Sequence, residues 1–230
     1  MRRFDLVVWD WDGTVVDSTA AIADAITGAA ADLGLPIPTA AQARWVIGMG
    51  LLEAIHHAVP AIRREQVPAF LERYRAHYLR RDPELKVFDG IPEILRGLDA
   101  AGVPLAVATG KSRVGLNRAL VQTGLGPRFL STRCADEGAP KPDPWMLQDL
   151  SEVLQIPTRR MVMVGDTTHD VGMARAAGAA SIAVLYGAHD PESLAASGPD
   201  ATVASVSELA EWLAAACAVD RSLLGGGGVR

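Results

Sequence analysis

The chain has 230 residues, 22 of them Lys or Arg and 27 Asp or Glu, for a formal charge of −5. Apolar residues make up 49% and charged residues 21%, the composition of a globule with a sizeable core rather than of a disordered chain. The acidic balance argues against a nucleic-acid partner, and the uncharged stretch over residues 176–188 falls short of the ~18 residues a membrane helix needs.

In chain order, Met1-Arg2-Arg3 resembles the start of an export signal, but Asp5, Asp10 and Asp12 interrupt any apolar segment behind it. Residues 5–10 are instead short, apolar and β-branched, as in a strand buried on both faces of a parallel sheet. From about Asp17 to Glu84 no strand is legible. Residues 20–33, 39–46, 51–59 and 65–80 all read as helices, and Thr39-Ala40-Ala41-Gln42 has capping-box spacing. Strand texture returns at residues 103–109 and 161–166, and more weakly at 181–185 and 201–203. Helices over residues 92–101, 113–123, 143–154, 170–177 and 209–218 separate these runs, several of them ending just before a glycine. The alternation predicts an α/β fold, a Rossmann-like three-layer parallel sheet core with an inserted helical cap domain. The expected division is a discontinuous core over residues 1–16 and 85–220, a helical cap over 17–84 and a flexible tail over 221–230 that includes the glycine run. Cys134 and Cys217 provide neither metal spacing nor a disulfide framework, so a reducing, cytoplasmic location is expected.

Four segments carry chemistry. In Asp10-Trp11-Asp12-Gly13-Thr14, residues two apart on a strand share a face, so both carboxylates converge beyond the sheet edge. Such a pair can bind a hard cation through oxygen, or divide the work of nucleophile and acid/base. In Ala108-Thr109-Gly110-Lys111-Ser112 a hydroxyl at a strand end can donate to a phosphoryl oxygen, and a helix start attracts anions. A P-loop would require a glycine at position 105, which is Leu, so that motif fails. A plain N-cap, the commoner fate of such a threonine, is the alternative role for Thr109. Lys141 lies between prolines in Ala139-Pro140-Lys141-Pro142-Asp143-Pro144, braced to neutralise phosphoryl oxygens or paired carboxylates. Taken alone, the residue reads better as a solvated loop lysine. In Gly165-Asp166-Thr167-Thr168-His169-Asp170, Asp166 is placed to ligate a cation, and Asp170 starts the next helix as N-cap, supporting ligand or both. Together the four suit Mg²⁺-assisted phosphoryl transfer.

With these motifs in this order, from about Phe4 to Leu213, the sequence resembles the haloacid dehalogenase-like hydrolase superfamily. Within it the chain is similar to phosphoglycolate phosphatases, through residues 9–18, Ile47-Gly48-Met49-Gly50, Phe88-Asp89-Gly90-Ile91-Pro92, residues 141–144 and residues 165–170. The resemblance implies that Asp10 is a nucleophile forming an aspartyl phosphate and that Asp12 is the general acid and base. It implies a Mg²⁺ cofactor held by the Asp10 carboxylate, the Asp12 backbone carbonyl and Asp166, with Asp170 in support. Thr109 and the Gly110 amide would hold the phosphoryl group, and Lys141 would stabilise Asp10 and that group. A helical cap would close over a small phosphorylated metabolite, 2-phosphoglycolate first, with Arg44 beside the cap loop as a cationic partner for its carboxylate. Asp12 argues against relatives that cleave carbon–halogen bonds or phosphonates.

Two other readings use the same residues. A β-phosphoglucomutase-like mutase shares the core motifs but should carry a sugar-phosphate clamp in the cap, which is not identifiable. A receiver-type phospho-acceptor switch also gathers acids, a Thr and a Lys at strand ends, but needs only ~120 residues and no cap.

Overall fold

The computed structural model describes residues 2–225. The apolar run after Asp5 forms β1 (Leu6–Trp9), and β2 (Leu105–Thr109), β3 (Ser131–Cys134), β4 (Met161–Gly165), β5 (Ala180–Val184) and β6 (Ala201–Val203) join it in one sheet of order β3-β2-β1-β4-β5-β6. Every pairing is parallel. Period-two alternation assigns the side chains of β1 to two cores. Val7 and Trp9 enter one cluster, with side chains of α5 (Ile91–Ala100), α6 (Arg113–Thr123) and α10 (Val206–Cys217). Leu6 and Val8 enter the other, with α7 (Trp145–Leu154) and α8 (Thr168–Ala177). The fold is therefore the three-layer α/β arrangement expected from the alternation. The strand order reverses between β1 and β4, so the crevice beyond their C-terminal ends is where such sheets bind ligands.

Between β1 and β2 the chain forms α1 (Thr19–Asp32), α2 (Ala40–Trp45), α3 (Leu51–Ala58) and α4 (Val67–Arg81). These helices bury a separate apolar cluster that includes Ile22, Ile26, Val46, Ile55 and Phe70. Thr39 caps α2 reciprocally with Gln42, as its spacing predicts. Among the described residues no helix is long and apolar enough to cross a membrane.

Several local expectations are corrected. Strand β3 is absent from the sequence reading because Ser-Thr-Arg-Cys is a polar edge strand with three half-buried residues and no apolar run. The six-residue α9 (Pro191–Ala196), capped by Asp190, buries only Leu194 and leaves little periodicity to detect. Helix α8 starts at Thr168 with Thr167 as its N-cap, and Asp170, the third residue of the helix, closes the capping box rather than being the cap. The helix expected from residue 65 begins with a 3-10 turn, Arg64–Gln66, and becomes α-helical only at Val67, with Pro68 in its first turn. The first residues of the expected tail take up regular structure. Arg221–Leu224 forms a 3-10 turn that buries Leu224 against the core, and the Leu223 carbonyl lies where a side chain at Gly97 would stand. Residues 226–230 of that tail lie outside the described residues.

Candidate active site

Asp10 directly follows β1, and its amide donates to the Val164 carbonyl on neighbouring β4 at 2.9 Å. Its carboxylate is 1% exposed. Oδ1 accepts from Lys141 Nζ at 2.7 Å, whereas Oδ2 is buried and accepts no hydrogen bond among the described residues. Burial pushes the Asp10 carboxyl up to about 7, opposed by the Lys141 charge and reinforced by the Asp170 and Asp12 charges. The chain turns away at Gly13, whose φ of 78° suits a residue without Cβ; a side chain there would also collide with Asp166.

Lys141 is fully buried and donates a second hydrogen bond to Asp170 Oδ1 at 2.6 Å. The proline-braced loop thus delivers an ammonium under the sheet edge, not into solvent. Burial opposes its charge, but Asp10 and Asp170 outweigh burial, so its pKa lies above the usual lysine range. Asp166 follows β4. Its oxygens accept from the Thr14 hydroxyl at 2.9 Å and the Ala188 amide at 2.6 Å. Burial, with the Asp10 and Asp170 charges, holds its carboxyl well above the ordinary range. Asp170 Oδ2 accepts from the Thr167 amide at 3.1 Å and hydroxyl at 2.6 Å.

Ligand atoms of Asp10, Asp166 and Asp170 lie within 4.8 Å of one another. With all three carboxyls ionised, they and the Lys141 ammonium would carry two net negative charges in a buried space, with one carboxylate oxygen unpartnered among the described residues. An all-oxygen donor set of this charge fits a hard divalent cation such as Mg²⁺. The Asp12 carboxylate is not part of this cluster. It accepts from Ser18 Oγ at 2.6 Å and Lys111 Nζ at 2.9 Å.

A cavity of about 570 Å³ opens above these groups, lined by Asp10, Asp12, Thr109, Gly110 and Lys111 from the core. Ile22, Gly48, Met49, Tyr74 and Tyr78 line it from the helical insert. Lys141, Asp166 and Asp170 do not line it; they lie behind Asp10. Thr109 is the buried last residue of β2, and its hydroxyl accepts from the Lys111 amide at 3.2 Å. A Cβ at Gly110 would lie 2.6 Å from both the Gly48 and Met49 carbonyls, so the loop after α2 sits directly on Gly110.

Arg44 is not in this cavity. Ala43 and Val46 turn inward from the α2 segment, and Arg44 is exposed at a separate cavity with Trp45, His57 and His189. The cations that line the cavity above Asp10 are Lys111, Arg75 and Arg118. Sequence reasoning treated Lys111 only as part of a failed P-loop; its signal was a lysine directly after Thr-Gly at a strand end. It likewise left out His169 and His189. Their Nε2 atoms lie 3.1 and 2.8 Å from the Trp45 carbonyl and donate to it, joining the insert to the core beside Asp170.

Residues 7–184 match the family model for haloacid dehalogenase-like hydrolases. The chain is 37% identical to the probable phosphatase IndB of Dickeya dadantii over 211 residues, covering 89% of this chain and 91% of that protein. It is 33% identical to a phosphoglycolate phosphatase of Chromobacterium violaceum, covering 91% and 96%. Its fold matches a solved Haemophilus somnus protein described as a predicted phosphoglycolate phosphatase, with a TM-score of 0.83 at 24% identity over 92% of this chain and 99% of that one. The chain belongs to the haloacid dehalogenase-like hydrolase family and is one of its phosphatases.

Proposed function

We propose that this phosphatase is a Mg²⁺-dependent phosphomonoester hydrolase that works through an aspartyl phosphate on Asp10. The observation that carries this reading is the state of Asp10. It lines the cavity, one of its oxygens is pinned by a buried ammonium, and the other is desolvated with no partner among the described residues. In the first step Asp10 Oδ2 forms a bond to phosphorus while the bond from phosphorus to the leaving oxygen breaks, and Asp12 passes a proton to that oxygen. In the second, water adds to phosphorus as Asp12 takes its proton, the bond to Asp10 breaks, and inorganic phosphate leaves. Thr109 Oγ1 and the Gly110 amide hold the phosphoryl group at the end of β2, and Lys141 offsets its charge. The Asp10 carboxylate, the Asp12 backbone carbonyl and Asp166, with Asp170 in support, would hold the Mg²⁺, which would supply further neutralisation of phosphoryl charge.

Residues 17–84 act as the cap, and the contact of Gly48 and Met49 with Gly110 is its closed position over the site. The substrate is a small phosphorylated metabolite, with 2-phosphoglycolate first. The resemblance to proteins named phosphoglycolate phosphatases supports this, as does the Lys111 ammonium in the cavity wall 2.9 Å from Asp12.

The test is phosphate release from a panel of small phosphomonoesters with and without Mg²⁺, beside Asp10→Asn. Release should need Mg²⁺ and no added bisphosphate, and Asp10→Asn should be inert yet folded by circular dichroism. Turnover by that variant excludes the covalent route. A panel on which 2-phosphoglycolate is no better than its neighbours excludes it as the substrate.

A further inference from the structure

The cavity wall carries both signs of charge: the Asp10 and Asp12 carboxylates and the cations Lys111, Arg75 and Arg118. Lys111 is the best held of the three cations. Its Nζ donates to Asp12 Oδ1 at 2.9 Å and to the Tyr78 hydroxyl oxygen at 3.0 Å, and lies 4.9 Å from the Tyr78 ring centroid. Tyr78 comes from α4, in the insert, and stacks on Tyr74 at 6.1 Å. Lys111 comes from the core loop after β2.

Both groups have hydrogens to spare. An ammonium has three donors, and two of those on Lys111 are used among the described residues. The Tyr78 hydroxyl accepts from Lys111, and its own proton has no acceptor among the described residues. That proton stays on oxygen at any ordinary pH, because burial, against the nearby Lys111 charge, pushes the phenol up to about 12. Arg118, with one side bound to Asp82 at 2.7 Å, adds positive charge behind the Tyr78 ring.

We propose that Lys111 and Tyr78 form a two-pronged subsite for a second anionic group, a carboxylate or a second phosphate, on the non-reacting end of the substrate. A carboxylate would take one charge-assisted hydrogen bond from the Lys111 ammonium and one from the Tyr78 hydroxyl. Because one prong belongs to the core and the other to the insert, such a substrate is gripped fully only when the two are together. Lys111 and Tyr78 are then specificity-determining residues, and Arg44 is not. The inference rests on the phosphatase reading and narrows its substrate class to short phosphomonoesters with a second negative charge.

The experiment compares kcat/KM for 2-phosphoglycolate, ethyl phosphate and phosphoethanolamine, whose free ends are anionic, neutral and cationic. Wild type should prefer them in that order. Tyr78→Phe, which removes one oxygen, should lower the ratio of 2-phosphoglycolate to ethyl phosphate about 10-fold, and Lys111→Met about 10- to 100-fold. Lys111→Arg should restore part of the ratio. A lysine and tyrosine that only brace the fold would change all three substrates together and leave the ratio in place, a result that overturns the subsite while the phosphatase stands. A wild type that ranks ethyl phosphate equal to 2-phosphoglycolate overturns it too. Absence of release from all three, with Mg²⁺ present, overturns the proposed function itself and the subsite with it.

Discussion

Replacing Lys141 by Met tests how the site is held. Methionine keeps most of the unbranched stem, so packing changes little and the perturbation is the loss of one buried charge. That charge contacts Asp10 at 2.7 Å and Asp170 at 2.6 Å, with all three side chains at 0–1% exposure. Removing one partner of a buried ion pair costs about 3–5 kcal/mol, because the remaining charges stay desolvated and uncompensated. For a chain of this size that corresponds to a fall in melting temperature of about 6–20 °C. The pH dependence has a definite sign. The Asp10 carboxyl stands at about 7 when folded, well above the ordinary aspartate range, and Lys141 is what restrains it from going higher. A carboxyl raised on folding destabilises the protein where it must ionise, above its folded pKa, and that penalty disappears as pH falls toward the unfolded value. Losing Lys141 enlarges the penalty only on the alkaline side. Thermal and urea melts of metal-free wild type and Lys141→Met at about pH 8.5 and about pH 5 should therefore show the full gap at the first pH and roughly half of it or less at the second. Equal melting at the higher pH, or a gap that does not close at the lower one, would refute the claim that Lys141 offsets buried carboxylate charge.

Three further outcomes follow from the same geometry. Millimolar Mg²⁺ should raise the melting temperature more at about pH 8.5 than at about pH 5.5, because Asp10 and Asp166 must lose protons to bind it and both are raised; a pH-independent shift in scanning fluorimetry excludes them as ligands. Gly110→Ala places a methyl 2.6 Å from the Gly48 and Met49 carbonyls, so kcat/KM should fall at least about 10-fold through impaired closure while the melting temperature of the core changes little. Steady-state kinetics beside calorimetry would separate those effects. Leu224→Ala should cost about 2–3 kcal/mol in urea unfolding, since Leu224 is 2% exposed; no measurable cost would mean that the terminal turn does not support the core in solution.

What could be read without coordinates was what short-range chemistry encodes. β1 and β4 are continuous apolar runs because both faces are covered. Asp10 and Asp12 follow the end of β1 and both line the cavity, and Thr39 announces its helix through Gln42 three residues on. Each depends on neighbours a few positions apart, where backbone geometry permits few alternatives. The family likeness added roles to these residues, but their physical states depended on distant segments. By itself Lys141 reads better as a solvated loop lysine, and only the crossover buries it, 131 residues from Asp10. Lys111 had no legible partner because Asp12 is 99 residues away and Tyr78 is 33 residues away on a different part of the fold. Arg44 looked suitable beside the cap loop, and only the rotation of its helix turned it outward. Strand β3 and the buried Leu224 carry no periodic signal, because an edge strand and a terminal turn are defined by what they pack against. Local pattern decided which elements form and which carboxylates stand at strand ends; packing between segments far apart in sequence decided which charges are buried, paired or available to a substrate.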